Sequence, residues 1–374
     1  MTERKTQGLA LGFGLVGALA LSMAINSAAA DPVSDFYGKK TVTIAAGAGG
    51  AHSAYSLLLT PHLRKNMPGN PNCVVQHMPG VGGTKAANYL YNTAPKNGTY
   101  ISILLAGTPL TAPLRTTGAK YKPGEFHYLG AAENVYHGLV VRKRAGVASL
   151  EDAKTKSVVL GSSGKGSQTF IVPTLINAFV GTKFKIVKGY RGLGGIYIAM
   201  DRGEADGFHA TISSVKVLRS DWVKKDLVRV LAVTAPDKSP DYPDAPLLID
   251  FVKAPLDRQA IELVSGNGVI GRAWLAPPGV PANRLAALRA AFEKSMSDPA
   301  VIAQAKKRNM NWGAPKVADP AAAGRAYREC RPEGDRAHAQ DAGRQIAATT
   351  RGACPSRQAP PKACRAKFQK ETPA

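Results

Sequence analysis

Four short glycine-rich segments hold the residues whose types and spacing could do chemistry. They are Gly49-Gly50-Ala51-His52-Ser53-Ala54-Tyr55, Pro79-Gly80-Val81-Gly82-Gly83, Gly161-Ser162-Ser163-Gly164-Lys165-Gly166-Ser167 and Lys188-Gly189-Tyr190-Arg191-Gly192. Glycine lets backbone approach a ligand closely and tolerates positive φ, where a Cβ would clash. A helix that starts in such a bend aims its free N–H groups at whatever occupies it, which is anion chemistry. Ser53, Ser162, Ser163 and Ser167 add hydroxyls, and Arg191 adds a cation that suits a carboxylate. The third segment is not a nucleotide phosphate loop: Gly166 follows Lys165, and no glycine lies five residues before Gly164.

The elements that must position these bends alternate. A β-branched run over 41–46 leads to a helix over 53–65 with Leu57, Leu58 and Leu63 on a helical period, although Pro61 threatens its continuity. A short strand at Val74-Val75, a helix over 85–91 and a strand over 100–105 follow. A second unit begins near residue 128, with strands at 139–141, 157–160, 184–187 and 228–233 and helices over 167–180 and 194–202. The stretch 236–246, rich in Pro, Asp and Ser, reads as a surface loop. An extended run over 269–275 and a periodic helix over 283–296 close the pattern. Such alternation predicts an α/β fold with largely parallel sheets, and the bends fall at strand-to-helix junctions, where open α/β sheets bind ligands.

The motifs, taken in order, resemble the substrate-binding proteins of tripartite tricarboxylate transporters. Pro79-Gly80-Val81-Gly82-Gly83 is similar to that family's Pro-Gly-Ala-Gly-Gly loop, and Gly161–Ser167 to its second-lobe Gly-Ser/Ala-x-Gly-x-Gly-Ser loop. Gly189-Tyr190-Arg191-Gly192, Arg202-Gly203-Glu204-Ala205-Asp206-Gly207, Leu231-Ala232-Val233-Thr234 and Ala276-Pro277-Pro278-Gly279-Val280-Pro281 extend the likeness from about residue 36 to Trp312. The resemblance implies a type II periplasmic-binding-protein fold, with two α/β lobes joined by two crossover strands and a ligand cleft between them. Lobe 1 is expected over 31–130 plus 235–315 and lobe 2 over 131–234, with crossovers near 128–133 and 231–234. The implied function is capture of a small organic carboxylate for a separate membrane permease, by a monomer without a cofactor. A ligand-presenting partner of a two-component receptor shares the same fold and stays open as an alternative.

The resemblance also suggests ligand-binding residues: Gly49, Gly50, His52, Ser53, Tyr55, Pro79, Gly80, Val81, Gly82, Gly83, Ser162, Ser163, Gly166, Ser167, Tyr190 and Arg191. Thr108, Asp206 and His209 complete the set, His209 being, with Thr211 after it, a weaker candidate. Ser53 stands where the family carries Asp; it can cap a helix but brings no charge. Asp206, between a helix and a strand, also has the simpler role of fixing a turn. Lys165 is expected in solvent.

Other chemistries find little support. No Gly-x-Ser-x-Gly elbow marks a nucleophile, and His52, His62, His77, His127, His137 and His209 show no metal spacing. An exported hydrolase is therefore the weaker alternative. The formal charge of +23 draws anions non-specifically, but its dense runs, Arg142-Lys143-Arg144 and Lys306-Lys307-Arg308, are not interleaved with aromatics as a nucleic-acid platform would be.

At the N-terminus, Arg4-Lys5, an apolar run over 9–25 and Ser27-Ala28-Ala29-Ala30 read as a secretory signal cleaved before Asp31, which places the mature protein in the periplasm. An uncleaved anchor helix is the alternative, disfavoured by the short run. Cys73 lies alone in the body, in a strand, and is expected to be a buried structural thiol. The family pattern stops after Trp312. Residues 316–374, with Cys330, Cys354 and Cys364, are too poor in aliphatic side chains to build a core and are expected to be disordered, consistent with a reading-frame shift near Gly313. A Cys-rich appendix is the other reading.

Overall fold

The computed structural model describes residues 31–47, 50–108, 118–268 and 270–313. The signal segment, the tail from residue 314 and Gly49 lie outside them. The first lobe contains α1 (Pro32–Gly38), β1 (Thr41–Ala46), α2 (Ala51–Asn66), β2 (Asn72–His77), α3 (Thr84–Asn92), β3 (Tyr100–Ile103) and β4 (His127–Ala131). The second contains β5 (His137–Arg142), α4 (Asp152–Thr155), β6 (Val158–Ser162), α5 (Gln168–Val180), β7 (Phe184–Lys188), α6 (Gly192–Arg202), β8 (Gly207–Thr211), α7 (Ser213–Leu218), α8 (Ser220–Lys224), β9 (Val228–Thr234) and α9 (Pro255–Ser265). The chain then returns to the first lobe through β10 (Ala273–Ala276), α10 (Ala282–Met296) and α11 (Pro299–Lys307).

The sheet orders are β2-β1-β3-β10-β4 and β7-β6-β8-β5-β9. β1 runs parallel to β2 and β3, whereas β10 enters antiparallel between β3 and β4. The second sheet has the same logic: β6 is parallel to β7 and β8, and β5 is antiparallel to β8 and β9. Both sheets are covered on two faces, which is why their central strands read as apolar runs. Val42 and Ile44 of β1 pack with Tyr55, Leu58 and Leu63 of α2, while Ala45 faces Ala86, Ala87 and Leu90 of α3. Pro61 does not break α2. The carbonyl it deprives of a donor belongs to Leu57, which sits on the exposed face, where water can serve it.

Two features differ from the sequence expectation. β9 is an edge strand of the second sheet, and the chain stays with that lobe afterwards: Leu248, Val252, Ala260, Ile261 and Val264 belong to its core. The return crossover therefore lies at 266–272, not at 231–234, and residues 235–265 pack with lobe 2 rather than lobe 1. Cys73 is the second. It occupies edge strand β2 and is only half-buried, although burial still pushes its thiol up to about 11.

The two crossing segments touch. Ala132 donates to the Arg272 carbonyl at 3.2 Å and Arg272 to the Glu133 carbonyl at 3.0 Å. Backbone pairing thus splices the outward and return paths into one hinge.

Candidate functional site

Between the lobes lies a cavity of about 670 Å³, within the usual range of about 300–1,000 Å³ for ligand pockets. Four helices begin at its wall. Gly50, Ala51 and His52 open α2; Gly83 and Thr84 open α3; Ser167, Gln168 and Thr169 open α5; Arg191, Gly192 and Leu193 open α6. None of these four first turns has a side-chain cap. α1 and α11, away from the cavity, are capped by Asp31 and Asp298, which accept from Val33 and Ala300. An uncapped start alone is not diagnostic, since α9 and α10 share it. Here two such starts from each lobe meet at one space. Among the described residues no Asp or Glu lines it. Unpaired N–H groups and converging helix dipoles make the space attractive to an anion.

The lobes are in contact across this space. Gly82 has φ +60°, and a Cβ built there would lie 3.0 Å from the Gly166 carbonyl oxygen and 3.2 Å from Ser167 Cα of the other lobe. Gly83, at φ +90°, would drive a Cβ to 2.4 Å from Leu105 Cδ1. The Pro79–Gly83 bend and the Gly161–Ser167 loop therefore face each other at van der Waals distance, and glycine is what allows it.

Of the sequence candidates, Gly50, His52, Pro79, Gly80, Gly82, Gly83, Thr108, Ser163, Gly166, Ser167, Tyr190 and Arg191 line the cavity, as does Thr211. Val81 lies in the turn between them. The remainder are placed elsewhere. The Ser53 hydroxyl pairs with His77 Nε2 at 2.5 Å. Ser162 is fully buried under the loop, with its Oγ 3.1 Å from Thr169 Oγ1 and accepting from the Gly164 N–H. Asp206 accepts from the Val159 N–H at 2.9 Å and so staples β6 to the turn before β8. Tyr55 and His209 are wholly buried behind the cavity wall. Lys165 is exposed, as expected.

Behind the floor sits a polar cluster whose centre the sequence reading missed. Glu133 of the outward crossing and Arg272 of the return form an ion pair, each side chain 1% exposed, with Arg272 Nη2 at 2.5 Å and Nε at 2.7 Å from Glu133 Oε1. Tyr55 from the first lobe places its hydroxyl 2.7 Å from Glu133 Oε2, and Ser213 from the second donates to Oε1 at 3.3 Å. The Arg272 guanidinium lies 4.5 Å from the Tyr55 ring centre and 3.1 Å from His52 Nδ1. Tyr55 also reaches the Asn311 carbonyl at 2.6 Å and stacks on Trp312. Lys216 of α7 bonds both Asp241 and Asn311, so this last segment is tied to the second lobe too.

The rings around Arg272 are neutral. His137, which lines the cavity, is held down to about 3 by burial and by the Arg272 charge. Burial and Arg272 likewise keep His52 well below its ordinary value, and burial with the His137 ring does so for His209. His137 and His209, diagonal neighbours on β5 and β8, stack with centroids 6.1 Å apart, and His209 Nε2 meets Thr234 Oγ1 at 2.9 Å. Among the described residues no group of three His, Cys, Asp or Glu could hold a metal ion.

The sequence held a signal for this cluster. Glu133 and Arg272 are single opposite charges inside apolar runs, Ala131-Ala132-Glu133 and Arg272-Ala273-Trp274-Leu275. Charges in such surroundings must find each other. Gln168 and His137 carried no motif.

No protein-family model matches the chain, and no curated protein matches it by sequence. Solved structures do match. MatC from Rhodopseudomonas palustris, with bound malate, aligns at TM-score 0.60 and 18% identity over 83% of this chain and 98% of its own. A second R. palustris protein, solved with adipate, aligns at 0.60 and 19% over 85% and 99%. The periplasmic binding protein BugD aligns at 0.61 and 18% over 79% and 95%. BugD is a periplasmic binding protein, and the chain has the two-lobed type II fold that it shares with the other two.

Proposed function

We propose that the protein is a periplasmic receptor that closes its two lobes over a small organic carboxylate and delivers it to a separate membrane permease. The observation that carries this reading is the convergence of four uncapped helix starts, two from each lobe, on one cavity that no acidic side chain lines among the described residues. Such an anion contacts both lobes only when they are together, so binding shifts the population towards closure. The malate and adipate held by structures of the same fold support the choice of carboxylate over other anions. The N-terminal secretory signal supports the location, and the carrier role follows from the family resemblance. The receptor acts as a monomer.

A thermal-shift panel of mono-, di- and tricarboxylates tests it. Ligand at a hundred times its Kd adds about 2.7 kcal/mol to folding stability, which raises the melting temperature by several degrees. No shift with any carboxylate contradicts the reading.

A further inference from the structure

The cavity measures about 670 Å³ although the lobes already touch: a Cβ on Gly82 of one would lie 3.0 Å from the Gly166 carbonyl oxygen of the other. Its size therefore belongs to the closed form and not to a gape between lobes. At roughly 30 Å³ for each water-sized group, it holds about twenty-two of them. A four-carbon diacid has about eight or nine non-hydrogen atoms and would leave more than half of the space to water. Each water held there needs about two to four polar partners.

The wall offers few. Pro79 and Leu105 of the first lobe and Tyr190 and Leu193 of the second line the cavity, and none of the four is fully buried, so their apolar surface is open to an occupant. The apolar wall begins at the acid end itself: a Cβ on Gly83, where α3 opens, would lie 2.4 Å from Leu105 Cδ1. Tyr190 stands in the same way beside the first turn of α6, where a Cβ on Gly195 would lie 3.7 Å from the Tyr190 Cβ. The hydroxyls of Thr108, Ser167 and Ser214 give their protons to the carbonyls of Leu105, Gly164 and Thr211, at 2.7, 2.7 and 2.5 Å. A second acid group, which only accepts, cannot use them. Of the arginines among the described lining residues, Arg191 is exposed and Arg272 is paired with Glu133. Poorly held water is displaced by an apolar group with a gain in affinity.

We propose that the space beyond the acid group seats an apolar body, so that the ligand is a monocarboxylate carrying a medium alkyl chain or a fused aromatic ring rather than a compact di- or tricarboxylate. This rests on the carboxylate-receptor reading and narrows it. The acid group sits at the helix starts, and the body runs along Leu105, Tyr190 and Leu193.

Calorimetric titration of the protein, by displacement for weak ligands, tests it with propionate, octanoate, 2-naphthoate, malate, citrate and gluconate. Gluconate approaches the larger acids in bulk but is hydroxylated throughout. Octanoate or 2-naphthoate is expected to bind about tenfold or more tightly than each of the other four, since each buried CH₂ contributes about fourfold before the ordering of the ligand is counted. In at least one of Leu105→Ala and Leu193→Ala, which remove wall and keep the main chain, the ratio of that acid's affinity to propionate's falls about threefold or more. A margin below tenfold, a compact or hydroxylated acid as the tightest ligand, or a ratio that neither variant lowers by that much overturns the apolar seat and leaves the receptor reading standing. No binding by any of the six overturns both.

Discussion

The mouth of the cleft and the hinge beneath it solve opposite problems with opposite materials. At the mouth, the proposed recognition falls to main-chain N–H groups at glycine bends, and among the described residues the one unpaired charged side chain there, Arg191, is exposed. At the hinge, a buried ion pair, a tyrosine and neutral histidines take over, and the backbone serves to splice the crossings. Backbone donors stay put whichever side chains change, which suits a site meant for an acid group. Side-chain networks in low dielectric are intolerant of loss, which suits a joint with a defined closed state. Substitutions at the hinge should therefore damage stability, and those at the mouth should damage affinity.

The largest effect is expected from Glu133→Ala. It leaves Arg272 buried and unpaired, a loss of about 3–5 kcal/mol in urea unfolding. A loss no greater than that of Arg191→Ala would erase the distinction between the two regions.

Acid should act next, and again through the hinge. The folded value of His137, about 3, lies below its ordinary 6.5, so the unfolded chain binds the extra proton between the two. Stability present above about pH 6.5 is lost as pH falls towards 3, by about 2 kcal/mol at pH 5 from this ring alone. His52 and His209, lowered in the same direction, add to the slope. Melting curves between pH 7 and 5 check it, and a flat profile would mean that these rings are already solvated.

At the mouth, Gly82→Ala forces a side chain into positive φ and against the Gly166 carbonyl across the cleft. Affinity for the best carboxylate of the panel should drop about tenfold or more, with the closed form depleted in solution scattering. Arg191→Ala is the mildest. An exposed charge contributes less than about 1 kcal/mol, so affinity falls no more than roughly fivefold and its salt dependence flattens.

This division also separates what could be read in the sequence from what could not. The glycine bends were legible because backbone requirements leave a local signature, and the twelve residues of Pro79–Gly83 and Gly161–Ser167 sufficed to place two facing loops. β9 was visible as a strand but not as an edge strand, because sheet order is a long-range property; the return crossing was therefore placed too early. Tyr55 and His209 have residue types suited to a site, yet burial assigns them to hinge and core. Arg272 shows the converse. Its partner lies 139 positions away, so a lone charge in an apolar run signals that a partner exists without saying which residue it is.

The most direct test of the account is a crystal structure of the protein with the carboxylate that stabilises it most. The account predicts the carboxylate oxygens within about 2.7–3.2 Å of main-chain N–H groups that open α2 or α3 on one side and α5 or α6 on the other. A carboxylate held by side chains of a single lobe, or lying outside the cavity, would contradict it.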